Sequence, residues 1–200
     1  MGTSLEQRLD ALCEEGRDFW HDFDARVRQE TWHPFVAADY DLVRESLLTL
    51  RRPGRRFLEW GSASGVITIM ADLMGFDACG IEIDVSLVGA ARELAKRTRS
   101  PARFATGSFI PMGWEWNPPD GDRRTATIGQ DRSGYVELGH ALEDFDVVYG
   151  YPWSGEEPLM RDLMRSHGSS EAILMLHCVE HGVRLYRQGV EVDAATLGVP

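Results

Sequence analysis

Apolar positions at helical spacing dominate the first fifty residues of the chain. A capping box of Ser4 and Gln7, followed by leucines three and four residues apart, predicts an amphipathic helix that continues to about Arg28. The pattern breaks near Pro34, because the residue before a proline is pushed out of the α region. Asp39 is expected to cap a second helix. The amino-terminal part is therefore predicted to be helical.

From residue 56 onward, short apolar runs alternate with helical stretches, a rhythm typical of βαβ units around a parallel sheet. Strands are predicted at 56–60, 78–83, 102–106, 145–149 and 172–177, helices at 66–74, 87–99 and 158–167, and a terminal hairpin at 183–186 and 190–192. Residues 111–134 lack periodicity and are expected to form a long functional or mobile loop. The pattern predicts an α/β fold with a doubly wound, mostly parallel sheet. One domain is expected, with a helical segment at 1–54, an α/β core at 55–178 and the hairpin within 182–200.

Composition agrees with a single folded domain. The 200 residues are 43% hydrophobic and 26% charged, which is typical of a globular chain. The net charge of -11 opposes the basic surface that binds nucleic acid. Three widely spaced cysteines, no apolar leader and no long apolar run predict a cytoplasmic protein that does not enter a membrane. The oligomeric state stays open.

The strongest chemical signal joins the first predicted strand to the next helix. Glu59 is followed by Gly61, Ala63 and Gly65, and glycines there allow a tight turn and a close approach to a ligand at a helix N-terminus. Glu82 ends the second strand, where a carboxylate can accept both hydroxyl protons of a ribose. Together these features predict a nucleoside site.

The spacing of the glycines indicates which nucleoside cofactor the site binds. A dinucleotide fold needs glycine where this chain has Ala63 and Val66, which disfavours NAD. The pattern instead resembles the first two motifs of the class I S-adenosylmethionine-dependent methyltransferases, over residues 56–177, with Ala63 in place of the middle glycine. The resemblance implies S-adenosylmethionine as cofactor. The cofactor contacts it implies are Glu59, Gly61, Ser62, Ala63, Gly65, Glu82, Ser108 and Phe109.

The segment after the fourth strand is expected to meet the methyl acceptor. It looks like the fourth methyltransferase motif, but Gly150 replaces the Asp or Asn that would hold the amino group of a base. With the negative charge, this predicts a small-molecule acceptor and no nucleic acid. The candidate residues are Tyr149, Tyr151 and His177 for catalysis, and Tyr40, Tyr151, Trp153 and Glu156 for acceptor binding.

Two further possibilities are a metal site and a reaction other than methyl transfer. No metal site is predicted, because His177 and His181 follow a strand and two histidines four apart share a face only on a helix. His177 is a candidate general base or a structural histidine, and Asp84 is expected to cap the next helix. Methyl transfer to a small molecule is the predicted function. The alternatives are an enzyme that cleaves or cyclises the cofactor and a non-catalytic module that binds it.

Overall fold

The computed structural model describes residues 3–27, 35–114, 132–153 and 155–197. Six helices lie in this part of the chain: α1 (Leu5–Val27), α2 (Tyr40–Leu50), α3 (Val66–Leu73), α4 (Val85–Thr98), α5 (Tyr135–Leu138) and α6 (Glu157–His167). Its seven strands are β1 (Arg56–Trp60), β2 (Asp77–Glu82), β3 (Arg103–Thr106), β4 (Val147–Gly150), β5 (Ile173–Cys178), β6 (Gly182–Arg187) and β7 (Val190–Val192). Short 3-10 turns lie at Leu142–Asp144 and Ala194–Leu197.

All seven strands form one sheet in the order β3-β2-β1-β4-β5-β6-β7. Strands β1 to β5 pair with one another in parallel. β6 pairs antiparallel with β5, and β7 pairs antiparallel with β6. The mostly parallel sheet and the terminal hairpin are thus confirmed. The carboxyl ends of β1, β2 and β4 lie side by side at the centre of one sheet edge.

Both faces of the sheet are buried, because alternate residues of each strand enter different hydrophobic clusters. Phe57 packs with residues of α1 to α4 on one face, and the next residue, Leu58, packs with α5 and α6 on the other. Val147 and Val148 of β4 divide in the same way. Helices on both faces are what a doubly wound sheet requires, and that fold class is confirmed.

The amino-terminal helices are packed into the same core as the sheet. Gly16 of α1 is the point of closest approach. A Cβ atom at Gly16 would lie 2.7 Å from Cγ2 of Val66 and 3.1 Å from the hydroxyl of Tyr40. Leu9, Leu12 and the buried side chains of α2 join the cluster that contains Phe57. This packing holds α1 and α2 over the beginning of α3.

The observed boundaries differ from the predicted ones by one or two residues. β2 ends at Glu82 rather than residue 83, α4 begins at Val85, and β5 runs through Cys178. The short helix α5 was not predicted, since four residues carry too little periodicity to be recognised. The centre of the predicted loop, 115–131, and Pro34 lie outside the described residues. None of the described helices is both long and apolar enough to cross a membrane.

Candidate functional site

A cavity of about 390 Å³ opens at the carboxyl ends of β1, β2 and β4. Its volume lies in the range of small-molecule and cofactor sites, and open α/β sheets bind ligands at this edge. The lining residues are Phe35, Val36, Ala38, Tyr40, Glu59, Trp60, Gly61, Ser62, Ala63, Ser64, Val66, Ile67, Ile81, Glu82, Ile83, Asp84, Gly107, Tyr149, Tyr151, Pro152, Trp153 and Val179. Most of the residues predicted to meet the cofactor, and Tyr40, Tyr151 and Trp153 of those predicted to meet the acceptor, therefore share one cavity.

The turn between β1 and α3 is a tight left-handed loop. Gly61, Ala63 and Gly65 have φ angles of +71°, +45° and +81°. The carbonyl oxygen of Ile81 accepts hydrogen bonds from the backbone N–H groups of Gly61 and Ser62, at 2.9 and 3.0 Å. These bonds attach the loop to the neighbouring strand and place its backbone in the cavity wall. Ala63 adopts the left-handed conformation that the related motif assigns to glycine.

Gly65 lies where close packing requires a glycine. It does not line the cavity, and a Cβ atom there would lie 2.7 Å from the ring of Phe104 and 2.8 Å from Cβ of Ala91. Only glycine allows α3 to begin this close to α4 and β3. Gly65 was predicted to bind the cofactor, and the structure places it behind the cavity wall instead.

Ser62 presents a buried polar atom without a partner. Its Oγ forms no hydrogen bond within the described part of the chain, and the residue is 2% exposed. The side chain of Ser62 fits here only because residue 80 is glycine: a Cβ atom at Gly80 would lie 2.6 Å from Cβ of Ser62. A buried polar group that lacks a partner costs free energy. The Oγ atom lies on the side of the loop that faces β2, since a Cβ atom at Gly80 would lie 2.8 Å from it, and it is closed to a ligand in the cavity.

Glu82 connects the loop to the end of β2. One carboxylate oxygen accepts the N–H of Ala63 at 2.8 Å, and the other accepts the N–H of Asp84 at 2.9 Å. Burial raises the pKa of Glu82, and these N–H donors oppose the shift. The two carboxylate oxygens together have about four acceptor positions, and the N–H of Ile83 also acts on them. The side chain therefore lines the cavity with acceptor capacity left for a ligand hydroxyl.

Asp84 is the N-cap of α4, as predicted. Its Oδ1 accepts the N–H groups of Ser86 and Leu87, at 2.7 and 3.2 Å. Burial acts to raise the pKa of Asp84, but these bonds and one from the Ser86 hydroxyl together outweigh it, so the pKa lies below its ordinary value. Although Asp84 touches the cavity, its carboxylate is directed to the helix it caps.

Glu59 lies beneath the loop, fully enclosed by the protein. Its Oε2 accepts the N–H of Thr68 at 2.8 Å and also the Thr68 hydroxyl. Burial raises the pKa of Glu59 to about 8, although both bonds from Thr68 act in the opposite direction. The side chain therefore holds the first turns of α3 in place from β1. It also lines the cavity, as predicted for a cofactor-binding residue.

The structure does not bring the two predicted residues after β3 into the cavity wall. The ring of Phe109 stacks on Trp60 with centroids 5.0 Å apart, inside the hydrophobic core. Ser108 is buried, and its Oγ accepts the N–H of Ile110 at 3.1 Å. Gly107 lines the cavity instead. With a φ angle of +150°, Gly107 turns the following residues inward, and a Cβ atom there would collide with the backbone of Arg132.

The acceptor end of the cavity is aromatic. Tyr149, Tyr151 and Trp153 all line it, because residues two apart in extended chain share a face. Glu156 does not line it. Its carboxylate accepts the N–H of Trp153 at 3.0 Å, so it supports the loop. A Cβ atom at Gly150 would lie 2.8 Å from the sulfur of Met160, which explains why no side chain stands at that position.

His177 lies directly behind the aromatic wall. Its Nδ1 is 3.5 Å from the Tyr149 hydroxyl, and its ring stacks on Tyr151 with centroids 4.7 Å apart and an interplanar angle of 14°. Burial lowers the pKa of His177, and the charge of Asp39 opposes that shift. In the ranges that the structure describes, no three His, Cys, Asp or Glu side chains are grouped to hold a metal ion.

Several lining residues were not identified from the sequence. Phe35, Val36 and Ala38 precede α2, and Val179 follows β5. Apolar residues in connections resemble ordinary core residues in a sequence. The one signal in the sequence is a position directly after a predicted strand, because such segments meet at the carboxyl edge of the sheet. This signal identifies Val179 but not the three residues before α2.

Comparison with known proteins gives partial relatives and a shared fold. No protein-family model matches the chain. The ribosomal protein L11 methyltransferase of Thermus thermophilus is 36% identical over 103 residues, which cover 47% of this chain and 41% of that protein. The corresponding protein of Ralstonia nicotianae is 36% identical over 63 residues, covering 31% of this chain and 21% of that protein. The chain thus spans less than half the length of these curated relatives.

One solved structure carries the comparison of folds. The RNA methyltransferase of Salinibacter ruber, in complex with S-adenosylhomocysteine, superposes with a TM-score of 0.52 at 19% identity, covering 76% of this chain and 92% of that one. The chain has the fold of the class I S-adenosylmethionine-dependent methyltransferases. The resemblance inferred from the glycine-rich loop and Glu82 is confirmed.

The expectation of a small-molecule acceptor without nucleic acid is contradicted. The curated relatives are named for methylation of a ribosomal protein, and the structural neighbour is named an RNA methyltransferase. The inference failed because net charge averages the whole surface and does not describe the surface around one cavity. Glycine at position 150 excludes only one mode of binding, in which an Asp or Asn side chain holds the amino group of a base.

Proposed function

We propose that this chain is an S-adenosylmethionine-dependent methyltransferase that acts on a macromolecular acceptor. The observation that carries the proposal is the left-handed loop at Gly61 and Ala63 beside a carboxylate, Glu82, that accepts the N–H of Ala63 and keeps acceptor capacity toward the cavity. These groups line a cavity of suitable volume in a methyltransferase fold. The curated relatives, each named for a ribosomal protein, support an acceptor that is part of a macromolecule.

The residues present fit the cofactor by the chemistry of their donors and acceptors. The loop from Gly61 to Ala63 would hold the methionine end, and Glu82 would accept the ribose hydroxyls. When bound, the cofactor supplies an electrophilic methyl group on a sulfonium. Aromatic faces attract cations, so Tyr149 and Tyr151 are suited to lie near that charge.

Orientation is the main contribution this chain makes to the reaction. Methyl transfer is an in-line displacement, and alignment of two reactants alone contributes a large acceleration. Tyr149, Tyr151 and Trp153 form an aromatic wall of the cavity, with His177 against both tyrosines and Glu156 bonded to the N–H of Trp153. The wall excludes water and limits the directions from which an acceptor atom approaches.

The test combines cofactor binding with product analysis. Calorimetric titration is expected to show binding of S-adenosylhomocysteine and none of NAD. Incubation of the protein with methyl-labelled S-adenosylmethionine and ribosomal subunits, followed by separation of protein from RNA, is expected to show label in the protein fraction. Label in RNA alone would change the acceptor class. Methylthioadenosine formed without an acceptor would establish cofactor cleavage or cyclisation instead, and absence of binding would refute the proposal.

A further inference from the structure

A buried histidine, His177, lies behind the aromatic wall of Tyr149, Tyr151 and Trp153 and contacts both tyrosines. His177 is 5% exposed and does not itself line the cavity. Its Nδ1 lies 3.5 Å from the Tyr149 hydroxyl, and its ring covers one face of Tyr151. These two tyrosines do line the cavity. Any effect of His177 on a bound acceptor must therefore pass through them.

The protonation state of His177 sets the direction of its hydrogen bond with Tyr149. A neutral imidazole with its hydrogen on Nε2 leaves Nδ1 free to accept the Tyr149 hydroxyl hydrogen. If the ring were protonated, Nδ1 would become a donor and the Tyr149 hydrogen would have to turn elsewhere. Burial beside two aromatic rings also disfavours the charged imidazolium.

We propose that His177 is a positioning residue of the acceptor end, and that as a neutral imidazole it fixes the hydroxyl of Tyr149 and the ring of Tyr151. Because the Tyr149 hydrogen is given to His177, the phenolic oxygen keeps its lone pairs for an acceptor group that carries an N–H or O–H. The favoured methyl acceptor is therefore a group that carries an N–H or O–H. It rests on the proposed methyltransferase function.

The charged and titratable groups around the pair come from several elements. Asp39, before α2, acts on His177, while Glu59 of β1, Tyr40 of α2 and Cys178 of β5 act on Tyr149 together with Tyr151. Burial and all four of these neighbours raise the pKa of Tyr149. Tyr149 is therefore a neutral hydrogen-bond donor, which is the state that the contact with Nδ1 requires.

The first test uses the protein without cofactor or acceptor. Nitrogen NMR of ring-labelled histidine, with the His177 signals assigned from the His177→Asn spectrum, is expected to show an unprotonated Nδ1 at pH 7.5. The pKa of His177 is expected below 6.5, and it should rise in Tyr149→Phe, where the donor that favours the neutral form is missing. A hydrogen on Nδ1, or no change in Tyr149→Phe, would overturn the inference.

The second test separates the two contacts by kinetics. His177→Phe keeps a ring against Tyr151 but lacks an acceptor atom, whereas His177→Asn places an amide oxygen near the position of Nδ1 without a ring. Exposed His181, in the turn after β5, gives the control His181→Asn. His177→Phe is expected to lower kcat at least about tenfold, since small losses of alignment slow a positioned reaction strongly. Affinity for S-adenosylhomocysteine should change less than about twofold, because His177 lies outside the cofactor end.

The outcomes separate this inference from the proposed function. In wild-type protein kcat should fall as pH drops through the pKa of His177, and this acid limb should be absent from His177→Phe. If wild type binds no S-adenosylhomocysteine, the proposed function fails. If wild type transfers methyl groups and His177→Phe behaves as His181→Asn does, only the inference fails. Should His177→Phe not fold, His177→Asn and the NMR titration still decide it.

Discussion

The two ends of the cavity are built by different means. The cofactor end consists of one short loop and two carboxylates, and its shape comes from backbone conformation at Gly61, Ala63 and the glycine that begins α3. The acceptor end is assembled from side chains that are distant in sequence, including Tyr40, Tyr149 and His177. A backbone-built site depends on a few small residues. A side-chain wall can change its specificity without changing the fold.

The largest loss of stability from a single substitution is expected in Gly65→Ala, which tests how far the cofactor end depends on backbone packing. The new Cβ atom would lie 2.7 Å from the Phe104 ring in a residue whose φ angle is +81°. Overpacking and left-handed strain together should lower the free energy of unfolding by about 3 kcal/mol. Thermal unfolding should show a Tm decrease of roughly 6 to 12 °C.

Gly61→Ala is the matched control. Its φ angle is also positive, +71°, but nothing lies within 4 Å of the new Cβ atom. It should lose only the strain of a left-handed residue, about 1 to 2 kcal/mol. Equal losses in the two variants would show that strain, and not the close contact of α3 with Phe104, determines the loop.

A carboxylate that serves both fold and ligand gives the second prediction. Glu82→Ala should weaken binding of S-adenosylhomocysteine at least about tenfold, and up to several hundredfold, through loss of two charge-assisted hydrogen bonds. The variant should also be less stable by about 1 to 3 kcal/mol, because the buried N–H of Ala63 loses its acceptor. Asp84→Ala should lose about 0.5 to 2 kcal/mol as a missing helix cap, with affinity nearly unchanged. Titration calorimetry and thermal melts measure both. Loss of affinity in Asp84→Ala alone would reverse the two assignments.

The third prediction concerns Glu59, which lines the cavity beneath the loop. Its folded-state pKa, about 8, exceeds the ordinary value of 4.5 because the side chain is buried. Between these values the folded protein holds the proton more tightly than the unfolded chain, so this contribution to stability is complete below pH 4.5 and decreases as pH rises toward 8. The decrease should be of the order of 3 to 5 kcal/mol.

Glu59→Gln isolates that effect. The amide oxygen can still accept the two hydrogen bonds from Thr68, but it cannot ionise. Denaturant unfolding at several pH values should give a decline for wild type that is much smaller in the variant. An identical pH dependence in the two proteins would contradict the buried, protonated carboxyl.

Sequence reasoning reached further at the cofactor end than at the acceptor end. Glu82 and the loop from Gly61 were predictable because the chemistry lies in residues with fixed spacing relative to two strands. Phe109 was misplaced because Gly107 turns the chain after β3, and the contact responsible involves residue 132, more than twenty positions away. The pairing of His177 with Tyr149 depends on β4 and β5 being neighbours, which no local pattern contains.

The smallest effect is expected from Ala63→Gly, which asks whether the loop needs the glycine found in the related motif. Ala63 has a φ angle of +45°, and its methyl group packs on a cluster with Phe23, Phe35 and Leu87. Glycine would relieve strain of about 1 to 2 kcal/mol but lose about 0.4 to 1 kcal/mol through greater freedom of the unfolded chain. It would also lose part of a methyl contact, worth up to about 0.8 kcal/mol. These terms nearly cancel, so Tm without cofactor should move by less than about 3 °C. A larger increase would mean that the methyl contact contributes nothing. A larger decrease would show that the methyl group of Ala63 anchors α1 to the loop through Phe23.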